Sequence, residues 1–191
     1  MNKVIISFTL AISLFLYGTI TAEAAVTKHS VQSGDSLWKI ANNYGISINE
    51  IKTTNNKKSN VVYIGERLTI PASVTAYEKR LLAQIVTAEA KGEPYAGQVA
   101  VAVVILNRVN SSKFPNTIHD VIYQTRQFEP VSNGTINNPA TASAERAVDE
   151  ALAFRGQGSG SLFFYNPKIA TSHWIATRQH TITIGNHVFA K

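Results

Sequence analysis

The sequence predicts an α+β protein in two parts: a small βααβ module, then a mainly helical domain closed by a short β-sheet. Three features predict it. Apolar residues recur at helical spacing in several separate stretches, with capping residues at their starts. Two pairs of β-type runs stand apart from these stretches, one pair bracketing the first two helices and the other at the C-terminal end. Between the two parts lies "ASVTA", residues 72–76, a join without helical periodicity and too short for a long flexible tether.

Ahead of the module, residues 1–24 read "MNKVIISFTLAISLFLYGTITAEA". Lys3, an apolar run from Val4 to Leu16 and the small-x-small triplet Ala22-Glu23-Ala24 fit a signal peptide cleaved before Ala25. The alternative is an uncleaved anchor, although the apolar run falls short of the ~20 residues that span a bilayer. A secreted monomer with no stable membrane span after cleavage is expected. Cysteine is absent, so disulfides, thiolate nucleophiles and Cys-based zinc sites are excluded together. The net charge of +6 comes from 18 Lys and Arg against 12 Asp and Glu, scattered along the chain. Scattered charge argues against nucleic acid as a partner and suits diffuse attraction to an anionic polymer.

The module occupies residues 28–71. Leu37, Ile40, Ala41 and Tyr44 mark an amphipathic helix, with Asp35 placed to cap its start and Gly45 to end it. Ser47 and Glu50 form a capping box that opens a second helix. Strands are predicted around His29 to Gln32 and Arg67 to Ile70. A unit this small has little core, which favours a binding module over an enzyme. "VQSGDSLWKIANNYGIS", then "IKTTNN" and "YIGERLTIP", resembles a LysM module over its whole length. The resemblance implies binding of N-acetylglucosamine-containing glycans such as peptidoglycan or chitin. It places the sugar between the Gly34, Asp35, Ser36 and Leu37 loop and the loop from Val62 to Gly65, which includes Ile64. Read from the residues alone, Gly34 and Asp35 serve a turn and a cap, and both roles are compatible.

The second domain is read as residues 77–191. Its first helix runs from about Tyr77 to Ala90, with Gly92 as stop and Pro94 opening the next helix. Val99 to Leu106 lacks a polar face and should be central. Thr117 with Asp120 caps a short helix ending near Tyr123. Asn138-Pro139 is read as the start of a helix carrying Ala144, Ala147, Val148, Ala151 and Leu152. "GQGSGSLFFYNP" and "HTITIGNHVF" then read as strands, with a hairpin turn at Gly185-Asn186.

Leu81, Ile85 and Glu89 share one helical face, so a carboxylate closes an apolar stripe. Desolvation and the negative end of the helix dipole both raise its pKa, the requirement for a general acid near neutral pH. By spacing alone, a solvated glutamate at a helix end is the commoner case. "TAEAKGEPYAGQVAVAVVILNRV", followed by "FPNTIHDVIYQTRQFEPVSNG", "LFFYNP" and "IGNHVFAK", resembles the catalytic domain of SleB-type spore cortex-lytic enzymes. The resemblance implies a lysozyme- or lytic-transglycosylase-like fold and a peptidoglycan glycosidase acting in cell wall or spore cortex. It assigns the catalytic role to Glu89, the first glutamate of "AEAKGE".

Glu93 and Glu129 are candidates for a second carboxylate, although Glu93 beside Pro94 also suits a helix start. Lytic transglycosylases need one acid only, because the substrate's C6 hydroxyl attacks the anomeric carbon. Gln127, Phe128, Glu129, Tyr165, Asn166 and Trp174 are candidates to line a sugar cleft, with Phe164 divided between cleft and core and Phe163 assigned to the core. His173, His180 and His187 form no compact ligand pattern, and neither metal nor cofactor is expected. Two rivals remain: a peptidoglycan amidase or endopeptidase, and a wall-binding protein without activity.

Overall fold

The computed structural model describes residues 27–71, 73–171 and 173–191; the predicted leader lies outside them. No helix among the described residues is long and apolar enough to cross a membrane.

Strands β1 (Thr27–Ser30) and β2 (Arg67–Ile70) pair antiparallel, with His29 opposite Leu68. Between them run α1 (Leu37–Tyr44) and α2 (Ile48–Thr54). The cap of α1 is Ser36, whose side chain accepts from the Lys39 amide, and not Asp35 as the sequence suggested. Asp35 sits one residue too early; its carboxylate takes the Gln32 amide at 2.8 Å and the His29 ring at 2.9 Å, closing the turn instead. Gly45 ends α1 in the left-handed region, and the Ser47–Glu50 capping box is complete in both directions. Val31, Leu37, Ile40, Ala41, Ile46, Ile51 and Leu68 form the module's small core.

Thr75 caps α3 (Ala76–Ala90) reciprocally with Glu78, so the end of the join already belongs to the helix start. Helix α3 ends on Lys91 in right-handed geometry, and Gly92 is not the left-handed stop expected of it. The chain turns through Glu93, whose amide bonds the Ala90 carbonyl at 3.0 Å, and Pro94 opens α4 (Tyr95–Val109). Helix α4 is central, with Val101, Ala102, Val104 and Ile105 fully buried. Helix α5 (Ile118–Ile122) is capped by Thr117 as predicted. The short α6 (Glu129–Ser132) and a 3-10 turn at Thr135–Asn137 follow, neither of which carries enough apolar repeat to be read in advance.

Helix α7 (Ala142–Ala153) begins after Thr141, not at Asn138-Pro139. Asn138 is extended and closes the 3-10 turn, whereas the Thr141 side chain accepts from the Ala144 amide. The inner face of α7, Ala144, Ala147, Val148, Ala151 and Leu152, is fully buried; its small alanines suit a close approach to α3 and α4. Strands β3 (Phe163–Tyr165), β4 (His180–Ile184) and β5 (His187–Ala190) form an antiparallel sheet of order β3-β5-β4, with α8 (His173–Ala176) between β3 and β4. The hairpin turn falls at Gly185-Asn186, as read from the sequence.

That turn is packed onto the start of α4. Gly185 has φ 59°, and a Cβ there would collide with the Glu93 carboxylate and the Pro94 ring. Gly185→Ala should therefore destabilise the chain by about 2 kcal/mol or more, the left-handed backbone and the collision each contributing ~1 kcal/mol. Gly160→Ala, equally left-handed but facing open space, should lose only the first part. Paired urea titrations measure the difference.

Candidate active site

The last turn of α3 carries Glu89 into the wall of a cleft of about 590 Å³. Ile85, Val86 and Ala90 beside it are buried in the core, which fixes the backbone and leaves the carboxyl half-buried. Burial pushes Glu89 up to about 7, the nearby Glu129 carboxylate adds to the rise, and the Arg108 guanidinium opposes it. A carboxyl raised to about 7 is available in both protonation states near neutral pH, as a proton donor or acceptor requires.

Arg108, in the last turn of α4, is a site residue that the sequence reading did not single out. It is only 5% exposed. Its Nε donates to the Leu162 carbonyl at 2.7 Å and its Nη1 to the Gln127 side-chain oxygen at 3.2 Å. The guanidinium carbon lies 5.0, 5.4 and 5.7 Å from the ring centroids of Phe114, Phe128 and Phe163. Burial pulls its pKa down to about 10, opposed by the Glu89 charge, so it stays a cation at neutral pH. Two bonds and three rings hold that cation still.

Several sequence candidates converge on the cleft. Gln127, Phe128, Phe164, Tyr165 and Trp174 line it with Glu89 and Arg108. Trp174 is 55% exposed and meets Phe163 edge to face at 5.4 Å. Phe163, assigned to the core from sequence, is a cleft residue; Phe164 serves both, packing against Phe128 and Phe189 behind the wall. Lys113 and Thr171 also reach the cleft, and no sequence signal marked them. Glu129 stands outside the main cleft, in an adjoining groove that it shares with Glu89, Asn133 and Thr135. Asn166 does not line the cleft. Its side-chain oxygen accepts from the Lys168 amide at 3.0 Å and its carbonyl from Ala170 at 2.9 Å, shaping the loop that follows β3.

Glu93 is away from the cleft and latches the sheet. Its carboxylate accepts from the Asn186 backbone amide at 2.8 Å and from the Asn186 side chain at 3.1 Å. Burial works to raise this carboxyl, but the two Asn186 bonds outweigh it and hold it below the ordinary glutamate value. Because β5 pairs with β3, with Tyr165 opposite Val188, the latch reaches the aromatic wall. His187 is buried beside Phe164, and burial lowers its pKa against the pull of Glu93. His180 is exposed on β4. Among the described residues, no group of three or more His, Cys, Asp or Glu is placed to hold a metal ion.

In the module, the Gly65 amide bonds the Val31 carbonyl and the Val31 amide bonds the Glu66 carbonyl, both at 2.9 Å. These bonds set the two expected glycan loops side by side. Gly34 and Gly65 both have positive φ, 85° and 83°, which their turns require. Ile64 is 75% exposed beside the equally open Tyr63, whereas the Leu37 side chain is core and leaves only its backbone to a ligand. Ser36 is committed to its cap and Asp35 to its turn, although both remain partly accessible.

Fold and site together define a class of protein: a small two-loop module carried by a helical domain whose aromatic cleft is edged by one half-buried carboxyl of raised pKa. More particularly, the chain belongs to the cell wall hydrolase family, whose profile matches residues 92–190, and a LysM domain matches residues 29–71. Glu89 lies just before the first residue of the family match. A spore cortex-lytic enzyme of Bacillus cereus is 36% identical over 167 residues, covering 87% of this chain and 64% of the relative. One from Halalkalibacterium halodurans is 43% identical over 120 residues, 63% of this chain and 36% of the relative. The chain thus spans less than two thirds of the length of either. The solved catalytic domain of the germination-specific lytic transglycosylase SleB from Bacillus anthracis superposes with a TM-score of 0.60 at 42% identity, covering 64% of this chain and all of that one.

The raised carboxyl has a consequence for stability. In the unfolded chain Glu89 ionises near 4.5, whereas in the fold it ionises only near 7. The unfolded state therefore releases its proton first, and the fold loses stability as pH rises between those values. Glu89→Gln removes that loss. The gap between variant and wild type should open in the variant's favour from pH 4.5 upward and level off above pH 7 in denaturant titrations.

Proposed function

We propose that this chain is an exported peptidoglycan-cleaving glycosidase, a lytic transglycosylase that cuts the bond between N-acetylmuramic acid and N-acetylglucosamine. The observation that carries the reading is a single carboxyl of pKa about 7 at the edge of an aromatic cleft. The family and the printed activity of its SleB neighbour support it. Protonated Glu89 gives its proton to the glycosidic oxygen as the C1–O bond breaks. The resulting carboxylate, stabilised by Arg108, then takes the proton of the muramyl C6 hydroxyl as that oxygen attacks C1. The product is a 1,6-anhydro sugar, Glu89 ends protonated, and no water is consumed. Phe163, Tyr165 and Trp174 offer ring faces for pyranoses. The LysM loops hold a stretch of wall or cortex glycan, and the leader directs export.

A second reading has one observation in its favour. Glu129 raises the Glu89 pKa and shares a groove with it, which supports a reading in which Glu129 serves as a water-activating base. Mass analysis of digests of purified cortex and vegetative peptidoglycan separates the two. Anhydro ends are expected; reducing ends would transfer the second step to Glu129, and released peptides would sink the glycosidase reading. Glu89→Gln should lower the rate roughly 10²-fold or more while the chain stays folded. Because the acid form is required, wild-type activity should decline as pH rises through about 7. In Arg108→Gln the decline should move to higher pH, since the charge that favours the carboxylate is gone. A pH–rate profile of each protein reads both effects.

A further inference from the structure

The two parts of the chain do not meet at the join alone. Ala153, the last residue of α7, is fully buried within the module's core, and Phe154 packs against the same cluster. Leu152 Cδ1 lies 3.7 Å from the position a Cβ on Gly45 would take. The Arg155 guanidinium pairs with the Glu50 carboxylate, which is also the α2 capping residue. Helix α7 therefore contributes core to both parts: Ala151 and Leu152 to the large domain, Ala153 and Phe154 to the small one.

The orientation follows from the helices. The dock uses Gly45 and Glu50, at the far end of α1 from the Gly34–Ser36 loop, so both candidate glycan loops stay open. On the other side, the Thr141 amide bonds Thr87 Oγ1 at 3.0 Å, tying the start of α7 to the end of α3 near Glu89. Lys79 pairs with Asp149, tying the start of α3 to the last turns of α7. The module is thus fixed to the end of the α3–α7 pair remote from Glu89. Helix α3 has 15 residues, so that offset is about 20 Å along its axis.

We infer that the module and the catalytic domain form one rigid body, in which the two glycan loops are a second subsite set at a fixed offset from Glu89. The consequence for substrate, which rests on the glycosidase reading, is that the module places the cut a set distance along or across the glycan. A module on a flexible tether would only raise local concentration.

The absence of cysteine allows a direct test. Spin labels on cysteines introduced at the exposed Ser59 and Asn137 report the distance between the parts by pulsed EPR. One narrow distance peak is expected. It should survive an insertion of about ten Gly and Ser residues ahead of Ser73, a length that by itself gives a flexible coil. Adding Phe154→Ala and Arg155→Glu to the insertion should broaden it. Broadening by the insertion alone would overturn the inference, because the short join would then be all that holds the module. A narrow peak that persists in the combined variant would overturn the assignment of the dock to the end of α7. These readouts need no substrate, so they stand apart from any failure of the proposed chemistry. On peptidoglycan, the wild type should release a preferred fragment length that the combined variant spreads out.

Discussion

A carboxyl held half out of water at the end of a buried helix is the constraint on which the second domain depends. Ionising such a group away from water is unfavourable, so it persists only where the surrounding core is rigid enough to stop it turning to solvent. Ile85, Val86 and Ala90 supply that rigidity on its own helix, and α4 behind them is packed without a polar face. The apolar run that looks excessive for a chain of this size is therefore the support of the site as well as the core of the domain. Two charges act on the same carboxyl in opposite senses, Glu129 raising its proton affinity and Arg108 lowering it. Their opposition leaves the carboxyl close to the balance between its two protonation states.

The cleft opposite this carboxyl is built by a different route. Its aromatic wall sits on β3, a three-residue strand with little hold of its own. The wall is stabilised by pairing with β5, and the β4–β5 turn is in turn anchored by Glu93, one helical turn beyond Glu89 in sequence. The two glutamates of "AEAKGE" thus divide the work. One faces the cleft; the other secures the sheet that forms the cleft's far side. Spacing of four residues places them near each other, and the break of α3 at Lys91 sends them to different partners.

How much of this was legible in the sequence differed by kind of interaction. The helices α1, α2 and α5 were readable because their spacing or cap signals lie within a few residues, although the α1 cap was read one residue early, at Asp35 instead of Ser36. The start of α7 was misread because Asn138-Pro139 is itself a helix-start signal; the actual cap is Thr141, whose own amide is held by Thr87, a partner far away in sequence. Glu89 was legible because a charged residue broke an apolar stripe. Arg108 breaks one in the same way, but at a helix end a cation is what the dipole favours, so the pattern alone does not mark it as a site residue. Asn166 was placed in the cleft by its aromatic neighbours; its turn hydrogen bonds with Lys168 and Ala170 are tertiary detail that composition does not carry. The Ala153–Phe154 dock was invisible altogether, since an alanine ending a helix gives no sign that another domain's core will cover it.

Arg108 also sets the electrostatics of a site that holds few charged groups. A mobile cation near Glu89 would be free to close on the carboxylate as an ion pair and hold it ionised, removing the acid. Here the guanidinium is bound to the Leu162 carbonyl and to Gln127 and is surrounded by three phenylalanine rings, so its distance from Glu89 is set by the fold. It favours the carboxylate enough to offset part of the burial, yet burial still dominates and the pKa stays near 7. The same rings that confine the cation form one side of the cleft. Any group stacked on that wall would exclude water from Glu89 and Arg108 together and so strengthen their mutual interaction. The aromatic wall and the acid are in this sense one device, coupled through a buried arginine.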